Sequence, residues 1–271
     1  MSSRNAGSGP GVASAIVIPA ALGGGLLLLP LIALVSRIDW AAIPSTLAAP
    51  ETTSALSLSV LTALAATATC LVLGVPLAVL IARTHGFLAT LLRAAVTLPL
   101  VLPPLVGGLA LLSLLGRGGL LGDALLSIGI RIPFTTVAVI LAQTFVALPF
   151  LVISVEAALR SITPVYGEAA MTLGAGSFTV LTRITLPLVA PSLGAGTLLC
   201  FTRALGEFGA TALFAGNAEG TTRTVPLAIY TAFNGAGVAQ DTALVLSLIL
   251  IAVSVVALIV LRGAPAIDRA R

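Results

Sequence analysis

Six long apolar runs, approximately Val12–Val35, Ala55–Ala82, Val96–Leu115, Phe134–Val155, Leu186–Leu213 and Thr242–Leu261, dominate the chain. Each can supply the roughly 20 helical residues that a bilayer demands. They are rich in Leu, Ala and Val and lack the alternation, with a turn every ten or so residues, of an outer-membrane barrel. Backbone polar groups in lipid must be satisfied internally, so each run is expected to be a helix. The first run follows Arg4 as a signal-peptide core would. Its apolar length exceeds the roughly 7–15 residues of such a core, so it reads as a retained span.

The polar segments between the runs carry arginine unevenly. Arg4, Arg83, Arg93, Arg160, Arg183, Arg262, Arg269 and Arg271 fall on the side of both termini, and Arg37, Arg117, Arg131 and Arg223 on the other. The excess of positive charge puts both termini, the Ala82–Ala95 loop and the Glu156–Thr185 loop in the cytoplasm. The expected organisation is a tail over residues 1–11, a membrane domain over 12–261 with a long cytoplasmic loop at about 156–185, and a tail over 262–271.

Composition agrees. The chain is 58% hydrophobic and 8% charged, against about 25% charged in soluble domains. Too few charges exist to cover a soluble surface, so this is an all-α integral membrane protein whose solvent is lipid. The net charge of +4 is scattered rather than clustered, which argues against a nucleic-acid partner. All 13 basic residues are arginine. A phosphate-binding loop of the G-x-x-x-x-G-K-[ST] kind needs a lysine, so this chain cannot hydrolyse ATP that way. Cys70 and Cys200 lie in separate spans with no metal-ligand spacing and read as packing residues. The single histidine, His85, sits in a loop away from any nucleophile, so no catalytic constellation and no metal site can be assembled.

Local patterns refine the spans. Ala55, Ser59, Ala63 and Thr67 recur every fourth residue and mark a close helix contact. "LPLVLPPLVGG" (Leu98–Gly108) and "LPLVAPSLGAG" (Leu186–Gly196) share prolines four residues apart, followed by small residues. Either two Leu/Pro-rich runs coincide, or these helix ends form a paired gate at the cytoplasmic mouth of a pathway. In the second case Pro103 and Pro191 stand at the gate with Gly108 and Gly196 beyond them. In the long loop, Thr163 is expected to cap a helix with Pro164 in its first turn, ended by Gly174. Tyr166, Ala169, Ala170 and Leu173 share a face of it, and Ser177 is expected to cap a second short helix carrying Phe178 and Leu181.

Glu168-Ala169-Ala170, three residues, Gly174, nine residues, Ile184, one residue and Leu186-Pro187 fill every fixed position of a known pattern. The stretch resembles the EAA loop of ABC-importer permeases. The resemblance implies the type I importer permease fold, with Glu168, Ala169, Ala170, Leu173 and Gly174 docking on a cytoplasmic ATPase. That partner would bind the ATP and magnesium, leaving this chain a non-catalytic subunit without a cofactor. "RALGEFGAT" (Arg203–Thr211) and "FAGN" (Phe214–Asn217) look like bacterial molybdate permeases, as do "LPLVLPPLVGG" and "LAQTFVALPFLVIS" (Leu141–Ser154). This group implies a homodimer in the bacterial inner membrane, two ATPase subunits and an extracytoplasmic oxyanion-binding protein. A sulfate/thiosulfate or tungstate permease is the alternative within the family. A secondary transporter is the rival outside it, though it would typically use more spans.

A tetrahedral dianion crossing lipid needs a water-lined route with polar donors. Arg203, Thr202 and Thr211, with glycines at Gly206 and Gly209, offer one in the outer part of the fifth span. Glu207 lies one turn beyond Arg203. A charge at bilayer depth costs about 2.5–3.5 kcal/mol, so the two are expected to face protein and neutralise each other. Arg before Glu is the weaker order within a helix, so pairing across the dimer is expected. Arg203 then either guides the ion or belongs to a structural pair. Beyond the span, Thr224 is expected to cap a short outer helix with Pro226 in its first turn and Leu227, Tyr230 and Phe233 on one face. That helix is either a docking surface for the binding protein or an aromatic anchor.

Overall fold

A computed structural model describes residues 10–163, 165–235 and 240–263. Among them there are thirteen α-helices and no strand. In chain order the helices are α1 (Pro10–Ser36), α2 (Ile43–Ala48), α3 (Pro50–Arg83), α4 (Gly86–Val101), α5 (Pro104–Leu115), α6 (Gly122–Ser127) and α7 (Thr136–Ser161). They continue with α8 (Val165–Thr172), α9 (Ser177–Val180), α10 (Leu186–Leu205), α11 (Gly209–Phe214), α12 (Val225–Asn234) and α13 (Gln240–Gly263). A π-helical segment, Leu181–Thr185, joins α9 to α10.

Five helical stretches are long and apolar enough to cross a bilayer: Ala15–Ser36, Pro50–Arg83, Thr136–Ser161, Ser177–Leu205 and Asp241–Val260. The expected third span, Val96–Leu115, is not one helix. It is the end of α4 and all of α5, bent by 116° at the break between them. The cause is the double proline. A residue preceding proline is pushed out of the helical region, and both Leu102 (ψ 136) and Pro103 (ψ 136) are extended. Pro99, Pro187 and Pro191 stand alone and are carried within helices. The Ala82–Ala95 loop is also mostly helix, turning at Thr84–His85 only. The expected fifth span, Leu186–Leu213, ends at Leu205 and resumes as α11 after Gly206–Phe208.

The core lies where α7 crosses α3 and α10. Ala55, Ser59, Ala63 and Thr67 are all buried, and a second row at the same spacing, Ala66, Cys70, Gly74 and Ala78, extends the contact. Of these, Ala63, Ala66, Cys70 and Ala78 pack with Leu151, Val152 and Val155 of α7, whereas Ala55 packs with Val225 of α12 and Leu246 of α13. A Cβ on Gly74 would come within 3.1 Å of Leu148 and Leu151 side-chain carbons. In lipid such close approach supplies the packing that holds helices together. Cys70 and Cys200 are both free and fully buried in this core.

α12 forms as expected in extent, but its cap differs. Thr224 holds the cap position without a side-chain bond, and the Val225 N–H donates instead to Ser59 Oγ at 2.7 Å. Residues 236–239 of the outer loop lie outside the described residues.

Candidate functional site

Two regions gather the residues singled out by the sequence. The first is the α8–α9 turn. α8 spans Val165–Thr172, and Pro164, expected in its first turn, lies outside the described residues. Its end is built as the sequence predicts: Gly174 has φ +88°, and Ala175 N–H reaches back to the Ala170 carbonyl at 2.9 Å. Left-handed backbone of this kind closes a helix most cheaply at glycine. Ser177 is not a cap; Gly176 holds that position and Ser177 begins α9.

The turn presents apolar side chains to solvent. Leu173 is 89% exposed and Phe178 78% exposed. Tyr166 and Met171 are also exposed, whereas Ala170 is half-buried. Glu168, itself exposed, lines together with Tyr166 and Met171 a cavity of about 410 Å³ beneath α8, walled by Val79, Ala82 and Leu159 at the ends of α3 and α7. A cluster of exposed apolar side chains at one turn is the kind of patch that marks an interaction site.

The second region is where the two broken helices meet. Arg203, in the last turn of α10, lines a cavity of about 160 Å³ with Pro99, Pro103, Gly107, Phe145 and Phe150. Its Nη2 lies 2.7 Å from Glu207 Oε2. The pair is therefore made within the chain, not across a dimer. The weaker order expected for an unbroken helix does not apply, because Glu207 lies just past the end of α10. Glu207 Oε1 also accepts the Ala210 N–H at 2.9 Å, capping α11 from inside the break.

Close backbone contact locks this junction. A Cβ on Gly209 would sit 2.6 Å from Pro104 Cβ, and one on Gly108 2.9 Å from the Ala210 carbonyl oxygen. Gly108 and Gly196 are thus buried packing positions, Gly196 abutting Ser154 of α7. They do not line a mouth.

The remaining residues divide. Thr202 spends its hydroxyl on the Leu198 and Leu199 carbonyls of its own helix. Gly206 is exposed in the break, whereas Thr211 is fully buried without a hydrogen-bond partner. Pro191 lies apart from Pro103, on an apolar groove of about 800 Å³ between α3 and α10. One link was not legible in the sequence. Phe208, in the break, packs against Tyr230 of α12 with ring centroids 5.1 Å apart and planes tilted by 45°.

The family described as binding-protein-dependent transport system inner membrane component matches residues 74–269. The chain is 48% identical, over 91% of both chains, to the molybdenum transport system permease protein ModB of Mycobacterium tuberculosis. It is 36% identical to the sulfate transport system permease protein CysT of Escherichia coli, over 76% of this chain and 75% of that one. Its fold matches a bacterial ABC transporter involved in import of the acidic polysaccharide alginate, with TM-score 0.69, 19% identity and coverage of 95% and 96%.

Proposed function

Since this chain belongs to the binding-protein-dependent transport system inner membrane components, the membrane subunits of ABC importers, we propose that it forms a molybdate translocation path together with a second copy of itself. The observation that carries the substrate is the identity to a molybdenum permease along nearly the whole chain. The α8–α9 turn, with Glu168, Ala169, Ala170, Leu173 and Gly174, docks on the cytoplasmic ATPase, which binds ATP and magnesium. The arginine excess beside that turn supports a cytoplasmic position for it and for both termini. A binding protein delivers the oxyanion on the opposite side, where α12 carries exposed Tyr230 and Phe233.

Arg203 is the cation the anion meets. Its side chain is 29% exposed at the junction of two broken helices, and irregular backbone at membrane depth is tolerated where it lines a cavity. Pro103 shares that cavity, which supports a gate at the α4–α5 break; Pro191 lies on the separate groove. The chemistry is binding and release by hydrogen-bond donors and charge, with no covalent step.

A sulfate permease is the second reading, supported by the similarity to CysT. Proteoliposomes holding this chain, its ATPase and its binding protein separate the two. Molybdate should stimulate ATP hydrolysis and be taken up, and calorimetry on the binding protein should rank molybdate above sulfate. Uptake of sulfate with no response to molybdate would overturn the reading.

A further inference from the structure

The cytoplasm-facing arginines expected to lie in loops are partly engaged in one cluster. Glu156 of α7 accepts Arg93 Nε from α4 and Arg160 Nε from its own helix, both at 2.8 Å and on the same oxygen, Oε1. Arg160 Nη2 donates further, to the Ile81 carbonyl near the end of α3, at 3.1 Å. The Glu156 side chain is only 12% exposed, and the two arginines about 40%.

A carboxylate so enclosed needs a partner. Arg160, one turn along the same helix, already provides one. Arg93 adds a tie to a different helix. Leu159 of α7, three residues beyond Glu156, lines the same cavity as Tyr166 and Met171 of α8. In the other direction α4 runs from Arg93 to the break at Leu102–Pro103, whose cavity holds Arg203. Rigid helices joined by polar contacts are the kind of link that carries coupling between distant sites.

Resting on the reading of the chain as an ATP-driven permease, we propose that Glu156 and Arg93 are positioning residues that transmit displacement of α8 to the α4–α5 break beside Arg203. Arg160 serves the α3–α7 junction and is not part of that transmission.

The test compares Arg93→Met with Arg160→Met in the full complex. Arg93→Met leaves Glu156 paired with Arg160, so the chain should still fold and assemble. Two quantities are read: uptake per ATP hydrolysed, and the nucleotide dependence of thiol labelling at Leu100→Cys on α4. The two native cysteines are fully buried, so the label reports the introduced one. Labelling needs only the ATPase and nucleotide, so it reads the tie even if the transported ion is misassigned. Arg93→Met should lower uptake per ATP by about tenfold, the size of an ordinary coupling between sites, and abolish the nucleotide dependence. Arg93→Lys should recover part of both, and Arg160→Met should keep both while lowering thermal stability. Wild-type coupling and labelling in Arg93→Met would overturn the proposal. Equal losses in Arg93→Met and Arg160→Met would overturn it too, because the cluster would then act only by holding the fold.

Discussion

Arg203 and Glu207 divide the work of one ion pair unequally. The glutamate is buried to 1% exposure and held at both oxygens, by Arg203 and by the Ala210 N–H, whereas the arginine keeps 29% of its side chain exposed. Removing the arginine strands a buried carboxylate, the kind of loss that costs about 3–5 kcal/mol. Removing the glutamate's charge leaves a cation that is only partly buried. Arg203→Gln is therefore expected to lower the thermal midpoint of the purified complex well beyond Glu207→Gln, which keeps an acceptor for Ala210. The double change to glutamine should restore assembly. If Arg203 guides the anion, that double variant should assemble yet transport about tenfold more slowly, a modest coupling-sized loss. Full uptake by the double variant would make the pair structural only.

Gly174 tests the docking turn. Nothing lies within 4 Å of a Cβ built there, so the chain itself has room for a side chain. The cost is conformational: φ is +88°, and left-handed backbone costs most residues roughly 1–2 kcal/mol. Asparagine tolerates that region better than branched residues do. If backbone geometry alone matters, Gly174→Asn should retain most uptake and Gly174→Val should lose it. If the ATPase must approach this turn closely, both should fail, with hydrolysis persisting but no longer driving uptake. Assaying hydrolysis and uptake together on both variants separates the cases.

The spans were legible because apolar length is a strong signal in lipid, and five of the expected six runs contain long helices. The α8 end was legible for a similar reason, since glycine is the usual answer to a left-handed helix end. The breaks were not. "LPLVLPPLVGG" and "LPLVAPSLGAG" look alike by composition, yet one adjacent pair, Pro103-Pro104, separates a 116° bend from a continuous helix. Glu207 reads from the sequence as a membrane charge, but its second bond, to Ala210, depends on a break the apolar pattern does not announce. The contacts of Arg93 with Glu156 and of Phe208 with Tyr230 join residues far apart in sequence, and single-chain periodicity carries no signal for either.

The double proline is therefore testable as the origin of the junction. Pro103→Ala with Pro104→Ala restores two N–H donors and lifts the pre-proline restriction on Leu102. α4 and α5 should then tend to join, moving position 104 away from Gly209 and emptying the cavity wall beside Arg203. Uptake should fall sharply, with the protein still inserted in the membrane. Pro191→Ala, inside an unbroken helix and away from that cavity, should leave uptake close to wild type. A double alanine variant with normal uptake would show that the bend is set elsewhere.

Close packing at the same junction gives a prediction that needs no transport assay. An added methyl at Gly209 would meet Pro104 Cβ at 2.6 Å, and one at Gly108 would meet the Ala210 carbonyl at 2.9 Å. Neither obstacle is the end of a flexible side chain: one is a proline ring carbon and the other is backbone. The helices must therefore separate, and overpacking of this kind costs typically about 1–3 kcal/mol. Gly194, on the same long helix as Arg203, has nothing within 4 Å of a built Cβ. Replacing it with alanine adds helix propensity, worth about 1 kcal/mol in an exposed interior. The thermal midpoint of the detergent-solubilised chain should then fall for Gly209→Ala and Gly108→Ala, and hold or rise for Gly194→Ala. Equal midpoints across all three would mean that α5 and α11 do not meet this closely in the membrane. The cavity around Arg203 would then lose the wall that the α5–α11 contact gives it.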